Sequence, residues 1–247
     1  MCQFKHGWIG KIMNLDTGKN AIIRLFNVTK HYGGKPALHN VSLDIEPGEF
    51  VFISGPSGAG KSTLLKVLYL AETLSDGQIL IDGMNLSRIS PARLPFLRRR
   101  FGMVFQDFKL IPTLTVFDNV ALALEVAGKN PSFIRKKVRH VLRITGMEKK
   151  AHMLPPTLSG GEQQRVAVAR AVAGDPDIIL ADEPTGSLDQ VSARRVLEIL
   201  LAYHKKGGTI LVASHHLQQL QTVVTGRSIV LEKGRLISAT RLEPYAT

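Results

Sequence analysis

Cysteine is almost absent. Cys2 is the only one among 247 residues, so no disulfide can close within the chain, and a reducing, cytoplasmic setting is the expectation. Long apolar runs are missing as well. No stretch reaches the roughly 20 residues that a membrane-spanning helix needs. The apolar residues near the start are broken up by Lys5, His6, Gly7, Gly10 and Lys11, so no secretory signal is expected there. Acid is scarce beside base: 20 Asp+Glu face 32 Lys+Arg, a formal charge of +12. Such an excess points to an anionic partner, whether nucleic acid, acidic lipid headgroups or a phosphorylated ligand, without choosing among them. There is no internal repeat and no low-complexity linker. What is present, 44% hydrophobic and 21% charged residues, suits a folded unit with a sizeable core rather than a disordered chain.

Short apolar runs rich in β-branched residues occur at 22–28, 50–54, 178–181, 209–214 and 228–231, each bounded by glycine, proline or polar turn residues. Helical patterns at 61–71, 161–173 and 191–204 alternate with several of them, which predicts an α/β fold with a mainly parallel sheet covered by helices. Residues 41–45 and 78–81 read as additional β structure. From about 91 to 160 the chain turns helical and basic, punctuated by Pro95, Pro112, Pro131, Pro155 and Pro156, and is expected to form a helical subdomain inserted in the core. Residues 1–20 read as a flexible extension. Phe4, Trp8 and Ile12 at i, i+4, i+8 leave a short basic amphipathic helix as the alternative, although Gly7 and Gly10 weaken it. Residues 241–247 read as a tail, and 21–240 as the folded domain.

Gly55-Pro56-Ser57-Gly58-Ala59-Gly60-Lys61-Ser62 fits G-x-x-x-x-G-K-[ST] at every fixed position, between an apolar strand and a helix that begins with Thr63 in its first turn. Glycines let the backbone close around phosphate oxygens, and the amides at the helix start point inward as donors. Lys61 supplies charge for the β- and γ-phosphates, and the Ser62 hydroxyl is a ligand for Mg²⁺. A second signal is an apolar run ending in Asp182 and Glu183. Two acids at a strand end are commonplace. Downstream of a phosphate loop, they place Asp182 near the metal and leave Glu183 to polarise a water. The protein is thus expected to hold ATP and Mg²⁺.

These residues resemble the ATP-binding-cassette (ABC) ATPases. Leu158-Ser159-Gly160-Gly161-Glu162 looks like that family's signature loop, and other family motifs follow in the family's order from about residue 22 to 237. The resemblance implies a P-loop NTPase fold: a RecA-like core, an antiparallel β subdomain and the inserted helical subdomain. It implies that Tyr32 stacks on adenine, that residues 55–63 bind phosphate, and that Gln106 of the Q-loop completes the metal shell with Ser62 and Asp182. It implies catalytic roles for Glu183, His215 and Gln106. It also implies an ATP-induced head-to-tail homodimer in which Ser159, Gly160, Gly161 and Asp189 serve the other subunit's nucleotide. Where the family usually has an acid after the switch histidine, His216 follows His215 here.

Residues 58–66, 95–108 and 115–120 are similar to the cell-division branch of the family. That branch works with an integral membrane partner from the cytoplasmic side of the inner membrane, at the septum, where it is thought to regulate cell-wall hydrolases. Ile111-Pro112-Thr113-Leu114-Thr115 looks more like the lipoprotein-release and macrolide-export branches. A nucleotide-gated scaffold with little turnover is a third alternative. The family's docking groove would lie at roughly 98–119. Arg98-Arg99-Arg100 and Lys136-Lys137 are candidates for contact with anionic lipid, and no nucleic acid is expected.

Overall fold

The computed structural model describes residues 21–186, 188–215 and 225–242. Residues 1–20, with the two readings given for them, His216 and the end of the tail at 243–247 lie outside the described residues. The chain opens with a hairpin of β1 (Ile23–Tyr32) and β2 (Lys35–Ile45), followed by β3 (Phe50–Ser54), α1 (Lys61–Leu68), β4 (Asp76–Ile81) and the two-residue β5 (Met84–Asn85). Next come α2 (Leu94–Arg98), β6 (Phe101–Val104), α3 (Val116–Val126), α4 (Pro131–Ile144) and α5 (Gly160–Ala173). The last part contains β7 (Ile178–Asp182), α6 (Gln190–His204), β8 (Thr209–Ala213), β9 (Gly226–Glu232) and β10 (Arg235–Leu242).

Two sheets organise these elements. β3, β6, β7, β8 and β9 run parallel in a six-stranded sheet of order β10-β9-β3-β8-β7-β6, with β10 antiparallel at one edge. A four-stranded antiparallel sheet has the order β2-β1-β4-β5. The strands at the centre of the larger sheet are apolar on both faces because both faces are covered. In β3, Phe50 and Phe52 pack into one core with α3, α4, α5 and α6, while Val51 and Ile53 pack into the other with α1 and the antiparallel sheet. β7 and β8 divide in the same way: Ile179, Ala181, Ile210 and Val212 face the helices, and Ile178, Leu180, Leu211 and Ala213 face the other side. A period of two in the strand thereby joins two cores through one sheet.

One expectation needs correction. Residues 101–104, inside the stretch read as helical, form β6, which pairs in parallel with β7. All four are buried, and the segment is held by the sheet rather than by the helices around it. The helical part proper follows it. There, Asn119 of α3 is fully buried and holds the preceding turn: its Nδ2 lies 3.0 Å from the carbonyls of Ile111, Leu114 and Thr115, and its Oδ1 accepts from the Ile111 amide at 2.8 Å.

Candidate functional site

The C-terminal ends of β3, β7 and β8 meet at one edge of the parallel sheet, where open α/β sheets bind their ligands. A cleft of about 380 Å³ opens there, lined by Ser57, Gly58, Gly60, Lys61, Ser62, Thr63, Gln106, Glu183 and His215 among others. Its floor is the turn from β3 into α1. Gly60 has φ of 103° and lies so close to the β1–β2 hairpin that a Cβ would stand 2.4 Å from the Ala37 carbonyl oxygen. Only glycine fits that position, and the approach brings Ala37 into the cleft wall.

Lys61 is 8% exposed, and its Nζ donates to the carbonyls of Gly55 at 2.8 Å and Pro56 at 3.2 Å. No carboxylate pairs with it among the described residues. A buried ammonium facing only carbonyls is a cation in want of an anion, since desolvated charge is costly when left unpaired. Ser62 Oγ donates to Asp182 Oδ1 at 3.0 Å, so two hard oxygen ligands stand together at the cleft's edge. Burial raises the Asp182 carboxyl above its ordinary pKa, and the neighbouring Glu183 adds to this, against the lowering effect of Ser62, Lys66 and Lys61. A donor set of this kind fits a phosphate-bound Mg²⁺, a cation that would itself return Asp182 to its charged form.

The raised Asp182 has a consequence for stability. The folded state holds this proton more tightly than the unfolded chain, so the contribution is complete below the unfolded value and is lost as pH rises through the folded one. Asp182→Asn removes that loss. The nucleotide-free variant should melt above the parent by a larger margin at about pH 7 than at about pH 4, as read by calorimetry. An equal margin at both would show that the carboxyl's ionisation does not matter there.

Glu183 has a left-handed backbone, φ 46°, unusual for a residue with a side chain. The turn folds its carboxylate back onto the end of β8. Oε1 lies 2.7 Å from His215 Nδ1 and accepts from the His215 amide at 3.1 Å, while Oε2 accepts from Ser214 Oγ at 3.1 Å. The carboxylate therefore orients the imidazole through its Nδ1, at the edge of the cleft that His215 lines. Strained backbone at such a position is commonly tied to function.

The other predicted residues lie elsewhere. Tyr32 is 42% exposed at the tip of the β1–β2 hairpin, with Lys30 Nζ 4.9 Å from its ring centre, and does not line the cleft. Ser159 caps α5: its Oγ accepts from the Glu162 amide at 3.3 Å, and Glu162 Oε2 accepts from the Ser159 amide at 3.1 Å. Asp189 caps α6 by accepting from the Ser192 amide at 2.9 Å, and hydrogen bonding from the Ser192 hydroxyl, then from its amide, holds the carboxyl below the usual range. Both helix starts lie together, because a Cβ on Gly161 would fall 2.4 Å from Ser192 Oγ. None of Ser159, Gly160, Gly161 or Asp189 lines the chain's own cleft. Ser214 and Ala37 belong to the site but were not foreseen. Ser214 could have been suspected as the neighbour of His215, whereas Ala37 arrives through the hairpin and leaves no local signal. Arg170 was also missed: from α5 it donates to the carbonyls of Lys109 at 2.6 Å and Phe108 at 2.8 Å, two residues beyond Gln106.

A family model described as "ABC transporter" matches residues 38–186, which spans the floor of the cleft, Gln106, the α5 start and Glu183. The chain belongs to the ABC transporter family. It is an ATP hydrolase of the ABC type. Among curated relatives, the cell division ATP-binding protein FtsE of Bacillus subtilis is 46% identical over 217 residues, covering 87% of this chain and 95% of the relative. FtsE of Escherichia coli K12 is 43% identical over 216 residues, covering 87% and 97%. A solved dimeric ATP-binding cassette in a post-hydrolysis state, bound to ADP and phosphate, is 36% identical with a TM-score of 0.83, covering 90% of this chain and all of that one. As an ABC ATPase, the chain has the expected α/β architecture of a mostly parallel sheet. No helix among the described residues is long and apolar enough to cross a membrane.

Proposed function

We propose that this chain is the ATP-hydrolysing subunit of a cell-division ABC system, acting as a homodimer beside an FtsX-like integral membrane partner on the cytoplasmic side of the inner membrane at the division septum. The observation that carries this reading is the 43–46% identity, along 87–88% of the chain, to relatives named as cell division ATP-binding proteins. Similarity of this extent reaches the helical part as well.

ATP enters the cleft as substrate, with its phosphates against the amides of residues 55–63 and the Lys61 ammonium. Ser62, Asp182 and Gln106 would hold Mg²⁺, which would supply positive charge against the phosphates when bound. Glu183 takes the proton of the attacking water, and His215, oriented by Glu183, donates towards the γ-phosphate. Tyr32 stacks on the adenine once nucleotide draws the hairpin tip inward. The α5 start does not line its own cleft, and in this reading Ser159, Gly160 and Gly161 offer their helix-terminal donors to the nucleotide of a second copy, with Asp189 beside them. Hydrolysis then removes the γ-phosphate that bridges the copies, and the closed state loses its advantage. The expected partners include no nucleic acid.

Recovery of the membrane partner tests the biological role. Tagged protein is bound to detergent-solubilised native membranes, and the co-purifying membrane protein is identified by mass spectrometry. An FtsX-like protein is the expected result. Residues 111–115 resemble the lipoprotein-release and macrolide-export branches, and recovery of a permease of either kind would overturn the cell-division role while leaving the chemistry of the cleft intact. A strain that divides normally with a non-hydrolysing variant would instead favour the nucleotide-gated scaffold.

A further inference from the structure

The excess of positive charge has to reside somewhere, and the structure separates the cations that are spoken for from those that are not. Each arginine of the Arg98–Arg100 run has a partner within the fold. Arg98 donates to the Leu70 carbonyl at 2.8 Å and lies over the Tyr69 ring; Arg99 donates to the Val126 carbonyl at 2.6 Å and lies over Phe96. Arg100 is shared between Asp177 at 2.6 Å and Asp82 at 3.1 Å. Lys137 pairs with Asp175 at 2.6 Å. The outward face of α4 is different. Arg135, Lys136, Arg139 and His140 are exposed and have no hydrogen-bond or ion-pair partner among the described residues. Arg143, one turn farther, reaches Glu148 at 3.3 Å across solvent.

The helix cannot rotate to hide this face, because Ile134, Val138, Val141 and Leu142 are locked in the core on its other side. α4 contains no acid of its own. Arg135 and Arg139 stand at i, i+4, a spacing at which like charges oppose helix formation. No acid among the described residues pairs with either arginine to offset that repulsion. Together with Ser132, Arg143 and His140, the three free cations surround an open, shallow depression of about 490 Å³. Phe133 and Ile144, 41% and 49% exposed, stand near the two ends of the helix.

We infer that this face of α4 is an electrostatic docking surface for an anionic membrane, with phospholipid headgroup phosphates as the ligands. Charge complementarity selects an anion, and the exposed apolar side chains near both helix ends suit the boundary of a lipid surface better than a soluble polyanion. The apolar side of α4 is already committed to the core, so the contact is adhesive and shallow rather than an insertion. The inference rests on the reading that the protein works at a membrane, and it assigns the lipid contact to α4 in place of the arginine run.

The test is co-sedimentation of the full chain with vesicles, without nucleotide or membrane partner. Two preparations are compared: phosphatidylcholine alone, and phosphatidylcholine with about 30% phosphatidylglycerol. The parent should pellet with the anionic vesicles only, and release on raising salt. The triple variant Arg135→Gln/Lys136→Gln/Arg139→Gln should bind them on the order of 100-fold more weakly, since each cation near such a surface contributes roughly fivefold. A control triple of equal charge change, Arg93→Gln/Lys205→Gln/Lys206→Gln, alters exposed cations elsewhere and should stay within a few-fold of the parent. Both triples should keep parental ATP turnover. Equal loss in the two triples would mean that net charge alone acts, and absence of binding to anionic vesicles would overturn the surface outright. If the parent ignores vesicles but is retained on immobilised polyglutamate, and the α4 triple is not, the face docks an acidic protein and the membrane proposal falls. Any of these failures leaves the cell-division role standing if an FtsX-like partner is still recovered from membranes.

Discussion

Glu183→Gln should lower ATP turnover by about 10²- to 10⁴-fold, the range that a positioned general base contributes, while nucleotide binding is kept. Glutamine preserves the size of the side chain and one acceptor oxygen, so the bond to the His215 amide can persist. What is lost is the negative charge that accepts the water's proton. Lys61, Ser62 and Asp182 are untouched, so ATP still enters. With the γ-phosphate no longer removed, the ATP-bound dimer should accumulate, visible as a doubled mass in size-exclusion chromatography with light scattering. Phosphate release within tenfold of the parent would remove Glu183 from the role of base. A variant that stays monomeric in ATP would break the link between hydrolysis and opening.

Lys61→Ala should abolish useful ATP binding. Truncating one partner of a buried, hydrogen-bonded charge pair costs about 2–5 kcal/mol, or roughly 30- to several-thousand-fold in affinity. In the nucleotide-free protein, by contrast, Lys61 has only the carbonyls of Gly55 and Pro56 for company. Its removal should leave the melting temperature of that form unchanged or slightly raised. The pair of readouts separates a ligand-binding lysine from a structural one. Titration calorimetry showing ATP affinity within a few-fold of the parent would overturn the assignment, and so would a variant that melts well below the parent without nucleotide.

Much of the core was legible because its strands are short β-branched runs with no competing pattern: the runs read at 50–54 and 209–214 became β3 and, one residue shorter, β8. The phosphate turn and the acid pair were legible because their chemistry demands fixed spacing. The α5 start was readable too, as Ser159 and Glu162 have the separation of a reciprocal cap, and the structure has both bonds. β6 was hidden for a physical reason. It is four residues long, includes a glycine, and follows three arginines, so local pattern cannot separate it from the helices around it; only pairing with β7, more than 70 residues later, makes it a strand. The same blindness covers charge. Whether Arg100 is free depends on Asp177, and whether Lys137 is free depends on Asp175, partners that no window of sequence contains. The left-handed turn at Glu183 was equally invisible, since it is imposed by the bonds at the end of β8.

The way Asn119 holds the turn before α3 bears on how such a protein can diverge. Its amide grips backbone atoms alone, at Ile111, Leu114 and Thr115. The path of this turn is therefore independent of most of the side chains that it displays. Ile111 is 37% exposed, and it and its neighbours can be exchanged without redrawing the chain. A lineage that keeps Asn119 can revise the face it presents to another protein one residue at a time, each step leaving the fold and the ATP cleft as they were.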